Sequence, residues 1–158
     1  PPSLRHALPR CIQREAPFGS LWLRGSKGDV HPFFHNLLGA SLENCIFCKI
    51  VQGEIPSKKV YEDEDVLAFH DINPVAPVHF LIIPKVHIPS LLEADASHQP
   101  VLGKCLAIAG KLAVEQGSAE GFRTIINTGR IGRQEVYHVH IHILGGPQTL
   151  PPMIVRRG

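Results

Sequence analysis

The most constraining feature of this chain is a run in which three histidines alternate with apolar residues, His138-Val139-His140-Ile141-His142. Successive side chains of a β-strand point to opposite faces, so the run predicts a strand with three imidazoles on one face and aliphatic residues in a core. Histidine acts near neutral pH as a nucleophile, a general acid or a metal ligand. The run therefore indicates a catalytic or metal site, with an exposed histidine-rich strand and a purely metal-binding face as alternatives.

Composition narrows the class of protein that can carry this strand. The chain has 158 residues, enough for one domain, and its apolar fraction of 44% is ordinary for a globular protein. A net charge of +2 is too small to indicate nucleic acid or a membrane surface as partner. No apolar run reaches the ~18–20 residues of a transmembrane helix, and the cysteines do not form a secreted disulfide framework. We expect a cytoplasmic protein that binds neither nucleic acid nor membranes.

The chain divides at about residue 42 into two parts of different composition. Residues 1–41 contain five prolines and four arginines without a sustained helical or strand period. This composition predicts a poorly ordered N-terminal extension, and an arginine-rich targeting segment is the alternative. Residues 42–158 form the predicted folded domain.

The folded part alternates short strand patterns with two helical patterns. Asn44 caps a predicted short helix that ends at Gln52, and an amphipathic stripe predicts a long helix from Val101 to Gln116. Strands are predicted at residues 59–62, 66–71, 79–84, 123–127 and 136–144. The third of these is a continuous apolar run after His79, which favours burial on both faces. The pattern indicates an α+β fold, a five-stranded antiparallel meander sheet with one long and one short helix.

Several motifs occur in the order typical of a known family. The triad run continues into Leu144-Gly145-Gly146, and Phe69-His70-Asp71-Ile72 and Ala76-Pro77-Val78-His79-Phe80 precede it. From about Asn44 to about Met153, the chain resembles the histidine-triad (HIT) superfamily, in particular its Hint branch, the purine nucleoside phosphoramidases. The resemblance implies a HIT-like fold, a homodimer, and hydrolysis of the P–N bond of purine nucleoside 5′-phosphoramidates of the AMP type.

The resemblance also implies roles for single residues. His140 would attack phosphorus and form a nucleotidyl-histidine intermediate, His142 would hydrogen-bond the phosphate oxygens, and His79 matches the family's fourth histidine. Asp71 matches a carboxylate that accepts hydrogen bonds from the two ribose hydroxyls. The other nucleotide-binding positions match an apolar clamp around the purine and the phosphate end of the site: Phe47, Phe69, Ile72, Leu81, Asn127 and Glu135.

The chain departs from animal Hint proteins just before the triad. Those proteins carry a serine two residues after a Gly-Gly, whereas this chain has Gly132-Arg133-Gln134-Glu135. Glu135 therefore brings a carboxylate toward the phosphate in place of a hydroxyl. This departure leaves the leaving-group step and the substrate preference open.

A second departure is the pair of cysteines in Cys45-Ile46-Phe47-Cys48. A Cys-x-x-Cys at the start of a helix can bind one metal ion, and the alternatives are a redox pair or two small buried residues. His87 stands where zinc-containing relatives supply a third ligand, and His138 would be the fourth. The resemblance thus implies a structural Zn²⁺ in a closed Cys-Cys-His-His set, which leaves His140 unligated.

Two other functions stay open for a chain of this kind. One is a dinucleoside polyphosphate hydrolase or nucleotidyl transferase of the same superfamily, against which Gly145-Gly146 argues. The other is a zinc-stabilised, nucleotide-binding regulatory partner whose turnover is incidental. Slow turnover with tight nucleotide binding would favour this regulatory partner.

Overall fold

The computed structural model describes residues 44–154, so the extension predicted at residues 1–41 lies outside the described residues. The helices are α1 (Ile46–Gln52) and α2 (Gln99–Glu115), and one 3₁₀ turn (Ala96–His98) precedes α2. The strands are β1 (Lys59–Glu62), β2 (Val66–His70), β3 (Val78–Pro84), β4 (Phe122–Ile125) and β5 (Ile141–Gly145). No helix of the described part combines the length and the apolar composition needed to cross a membrane.

The five strands form one antiparallel sheet in the order β1-β2-β3-β5-β4. The predicted α+β class, the five antiparallel strands and the long and short helices are confirmed. The order departs from a strict meander at one place. After α2 crosses the sheet, the chain forms β4 at the edge, and the β4–β5 loop (residues 126–140) returns it so that β5 lies between β3 and β4.

The central strand β3 is buried on both faces, as its apolar run predicts. Phe80 and Ile82 belong to a core cluster on the face covered by α2, whereas Leu81 and Ile83 belong to a second cluster shared with α1. Period-2 alternation explains this division, because neighbouring side chains of one strand enter opposite layers. The sheet therefore separates a larger core under α2 from a smaller one under α1.

The triad is only partly in a strand, so the prediction of a strand over residues 136–144 was wrong in its first half. The strand begins at Ile141, and the preceding segment hydrogen-bonds elsewhere: the Val139 amide donates to the carbonyl of Ile88 at 2.7 Å. His138 and His140 thus stand just before β5. The side-chain alternation nevertheless continues through this segment, because the Phe47 ring forms T-shaped contacts with both imidazoles.

Other boundaries shift by one or two residues. Cys45, and not Asn44, caps α1, because its Sγ accepts the amide hydrogen of Cys48. The long helix begins at Gln99, two residues before the predicted start, with a proline in its first turn, where the missing amide is tolerated. The strand predicted at residues 123–127 ends at Ile125, which leaves Asn127 in the β4–β5 loop.

Candidate functional site

An open cavity of about 840 Å³ lies between α1, the end of β2, β5 and the β4–β5 loop. This volume lies within the range of small-ligand and nucleotide pockets. One wall is apolar and is built by Ile46, Phe47, Ile50, Phe69 and Leu81. Polar side chains also line the cavity, among them Asn127, Glu135, His140 and His142. The cavity therefore offers both an apolar surface and hydrogen-bonding groups to a ligand.

The structure brings together the catalytic and nucleotide-binding residues predicted from the sequence. All of them line the cavity except His79, which stands behind His142. Ile72 is 91% exposed, so it lies at the mouth and gives little of the apolar clamp expected of it. Ile46 and Ile50, which the prediction missed, fill the wall with Phe47. Their i, i+4 spacing on α1 is the pattern that marks them, because such residues share one helix face.

A backbone carbonyl sets the tautomer of His140. Its Nδ1 lies 2.7 Å from the His138 carbonyl oxygen, so Nδ1 carries the proton and donates. Nε2 keeps a lone pair and has no hydrogen-bond partner in the described part of the chain. Burial lowers the pKa of His140, and the His138 carbonyl and the charges of Asp71 and Glu135 act against this shift. The neutral, Nε2-basic form is the one that can attack an electrophile.

A second chain of hydrogen bonds sets the tautomer of His142. The Val75 amide donates to His79 Nδ1 at 3.2 Å, so the His79 proton lies on Nε2, which donates to His142 Nδ1 at 3.0 Å. His142 therefore carries its own proton on Nε2. Burial first, and then the neighbouring His140 and His79, lower the pKa of His142 to about 4. His142 is thus a neutral N–H donor in the wall of the cavity.

Asp71 follows β2 and is held in place by its own turn. One carboxylate oxygen accepts the Asn73 amide hydrogen at 2.8 Å, and the other lies 3.4 Å from His79 Nε2. Each oxygen retains a lone pair, since a carboxylate offers about four acceptor positions. The side chain is therefore oriented beside the cavity and can still accept ligand hydroxyls.

Next to the cavity, four potential metal ligands converge: Cys45, Cys48, His87 and His138. His138 Nδ1 lies 3.6 Å from the Sγ atoms of both cysteines and 3.3 Å from His87 Nδ1. Cys48 Sγ lies 3.2 Å from His87 Nδ1. Tetrahedral Zn²⁺ would separate two nitrogens by about 3.3 Å and a nitrogen from a sulfur by about 3.6 Å, given the usual bond lengths. The donor spacing therefore fits zinc.

The protonation of these groups also fits a cation. The His138 Nε2 proton is donated to the Pro84 carbonyl at 2.8 Å, which leaves Nδ1 as a lone-pair donor toward the cysteines. Burial lowers the pKa of His138 to about 4, so the ring is neutral. Burial, reinforced by the adjacent Cys45, raises the pKa of Cys48 to about 11. A cation among the ligands would supply the charge that a buried thiolate needs.

Gln134 is a buried residue that the sequence prediction did not assign. Its side-chain oxygen accepts the Gly129 amide hydrogen at 2.9 Å, and its Nε2 donates to the carbonyls of Pro89 and Val136 at 2.7 and 2.9 Å. These bonds fasten the β4–β5 loop to the segment that follows His87. No local pattern marks this role, because a glutamine between two motifs is usually a surface residue.

Replacing Gln134 by methionine is expected to lower the free energy of unfolding by about 3 kcal/mol, because buried amide and carbonyl groups lose their partners. Urea unfolding followed by circular dichroism measures the change. The matched control is Gln52→Met at the exposed end of α1, where we expect a change within about 0.5 kcal/mol. Equal effects for the two variants would show that the three hydrogen bonds contribute no net stability.

The fold and the histidine cluster beside a nucleotide-sized cavity are those of a histidine-triad protein. A family model of the HIT domain matches residues 52–149. The chain belongs to the HIT family, as the motifs in its sequence predict.

Individual relatives agree with this assignment. The chain is 50% identical to the purine nucleoside phosphoramidase of Escherichia coli (strain K12) over 117 residues, 73% of this chain and 98% of that protein. It is 52% identical to the 14 kDa zinc-binding protein of Zea mays over 110 residues, 68% of this chain and 86% of that protein. The solved structure of a histidine triad protein from Clostridium difficile matches with a TM-score of 0.68 and 47% identity, over 73% of this chain and 100% of that one.

Proposed function

We propose that this protein hydrolyses the P–N bond of purine nucleoside 5′-phosphoramidates of the AMP type through a nucleotidyl-His140 intermediate. The observation that carries the proposal is the unpartnered Nε2 of His140, held in its basic tautomer in the wall of the cavity. The identity of 50% with a purine nucleoside phosphoramidase supports the choice of substrate.

The cavity lining supplies a partner for each of the three parts of such a nucleotide. The apolar wall of Phe47, Phe69 and Leu81 receives the purine, because flat aromatic surfaces bury well between such side chains. The oriented carboxylate of Asp71 accepts the ribose hydroxyls. Asn127 and the N–H of His142 donate to the phosphate oxygens.

The reaction proceeds in two displacements at phosphorus. His140 Nε2 attacks, the N–P bond forms and the P–N bond to the leaving group breaks. The amine leaves with the electron pair and takes a proton from solvent. Water then attacks phosphorus, the bond to His140 breaks, and the nucleoside monophosphate and a proton are released. The His142 N–H strengthens its bond to the phosphate as charge develops there, which lowers the barrier of both steps.

A steady-state comparison of an adenosine 5′-phosphoramidate with a dinucleoside polyphosphate tests this proposal. We expect kcat/KM to favour the phosphoramidate by at least about tenfold. Preference for the dinucleotide would instead support the polyphosphate hydrolase or transferase. Tight nucleotide binding with negligible turnover of both would support the regulatory partner.

We also propose that Cys45, Cys48, His87 and His138 hold one structural Zn²⁺. The donor spacing and the identity of 52% with a zinc-binding protein support this assignment. When bound, the ion joins the start of α1 to the segment before β5 and supplies no open position for chemistry. The two thiols must stay reduced to bind it, which favours the cytoplasm as the compartment.

Finally, we propose a homodimer formed by α2 and the edge strand β4. Leu106 and Val114 on α2 are 51% and 55% exposed, and Phe122 on β4 is partly exposed beside them, near Gly110. The strand also presents an unpaired edge in the described structure. A second copy would cover both the apolar face and the edge.

Light scattering after gel filtration should therefore give twice the chain mass, and Leu106→Asp should shift the protein toward the monomer. A buried charge at a two-fold interface acts twice, once in each copy. The control is Leu92→Asp, at a leucine that is 77% exposed in the β3–α2 connection. A wild-type protein that elutes as a monomer at micromolar concentration would contradict the proposed dimer.

A further inference from the structure

The β4–β5 loop holds Arg133 in a backbone conformation that few side-chain-bearing residues adopt. Its φ is 58°, and it is the only non-glycine residue with positive φ in residues 44–154. A residue with a Cβ is disfavoured there, whereas glycine is not. The chain therefore carries a long cationic side chain on a backbone conformation that favours glycine.

The surrounding turn leaves this backbone no freedom to relax. Backbone amides of Gly132, Arg133 and Gln134 donate to the carbonyls of Thr128, Arg130 and Gly129 at 3.2, 3.1 and 3.0 Å. A Cβ on Gly132 would lie 2.5 Å from the Thr128 carbonyl oxygen, so the chain passes close to itself here. The Gln134 side chain anchors the same turn from below. Arg133 is thus presented from a fixed position.

The residues on either side of the buried Gln134 both border the cavity. Arg133 and Glu135 are exposed and line the cavity, as Asn127 and His140 also do. None of the ion pairs formed within the described residues includes Arg133. An arginine at a cavity wall without a carboxylate partner is available to an anionic group of a ligand, for which its planar donor set is suited.

We propose that Arg133 is a specificity-determining residue that selects substrates with an anionic group on the leaving side of the scissile phosphorus. This inference rests on the proposed function and adds to it the charge of the leaving group. The anionic group is the carboxylate of an amino-acid leaving amine or a further phosphate. Glu135, on the same wall, accepts the N–H of a leaving amine and favours the first source. Strain retained at a binding surface is the pattern expected of a side chain kept for function.

The test uses two adenosine 5′-phosphoramidates that differ in one group, with alanine or alaninamide as the leaving amine, and a dinucleoside polyphosphate as a third substrate. We expect the wild-type kcat/KM to favour alanine over alaninamide. Arg133→Gly and Arg133→Gln should reduce this ratio about tenfold, the loss of one charge-assisted hydrogen bond. Arg133→Lys should retain part of it. If both variants instead lose kcat/KM for the dinucleoside polyphosphate only, the anionic group that Arg133 selects is a further phosphate.

A structural role for Arg133 predicts a different outcome. It would lower kcat/KM for both amidates equally and would lower the melting temperature, whereas relief of the left-handed strain in Arg133→Gly leaves the fold intact. An unchanged alanine-to-alaninamide ratio in both variants, together with an unchanged kcat/KM for the dinucleoside polyphosphate, overturns the inference. If the wild-type protein turns over no phosphoramidate, the proposed function fails. Calorimetry on His140→Asn, with and without Arg133→Gly, then measures the dissociation constants of the alanine and alaninamide amidates. The ratio of these two constants decides the inference independently of turnover.

Discussion

Substitution of His140 by asparagine or alanine should reduce kcat for a phosphoramidate by at least about 10⁴-fold, the scale of loss when a nucleophile is removed. Nucleotide affinity should change only a few-fold, because the apolar wall, Asp71 and His142 remain in place. Steady-state kinetics measure kcat, and calorimetry with a nucleoside monophosphate measures the nucleotide affinity. Loss of kcat with retained affinity separates a nucleophile from a residue that only binds.

The covalent intermediate gives this prediction a direct test. Mass spectrometry of acid-quenched protein and substrate should find a nucleotidyl adduct on the peptide that contains His140, and the variants should lack it. His98→Asn is the matched control, because His98 caps the turn before α2 and does not line the cavity. Near-normal kcat in His140→Ala, or an adduct on another residue, would show that the nucleophile has been misassigned.

The parts of the fold that the sequence predicts are those where burial follows a local period. The apolar run of β3 and the long helix α2 are predicted correctly, because both faces of β3 and one face of α2 pack into a continuous core. The start of β5 could not be predicted in this way. The apolar alternation continues back to Val139, but the backbone there bonds to Ile88, a partner distant in sequence. Alternation records which face is buried and not which backbone groups are paired.

The candidate site divides in the same manner. The residue types and their spacing identify His140, His142 and the two cysteines of α1, and the family resemblance adds Asp71 and His87. Their tautomers depend on backbone groups that only the tertiary structure supplies, such as the His138 carbonyl and the Val75 amide. The same holds for Gln134 and the left-handed backbone of Arg133, whose positions are set by contacts across the loop.

Removal of one zinc ligand should produce the largest stability change in this protein. The ion would connect α1 to the segment before β5, at the smaller core to which Cys45 and Cys48 themselves belong. Cys48→Ala leaves three ligands and no stable tetrahedral set, so binding free energy that contributes to folding is lost. We expect at least about 4 kcal/mol less stability, or a melting temperature lower by roughly 15 °C.

Cys105→Ala is the matched control for this prediction, because Cys105 is equally buried but lies in the larger core under α2, away from the ligand set. Cys105→Ala also removes one sulfur atom, and it should lower the free energy of unfolding by about 1 kcal/mol while the zinc content stays complete. Metal analysis of reduced, tag-free protein should give about one Zn²⁺ per chain for wild type and Cys105→Ala, and less for Cys48→Ala. A chelator should then lower the melting temperature of wild type and Cys105→Ala only.

A zinc-free wild type, or equal losses of stability in the two variants, would mean that the four ligands pack as an ordinary core cluster. His140 keeps its hydrogen bond to the His138 carbonyl in both cysteine variants. We therefore expect only a small loss of kcat at 25 °C beside the large loss of stability in Cys48→Ala. This difference separates the structural ion from the catalytic histidine.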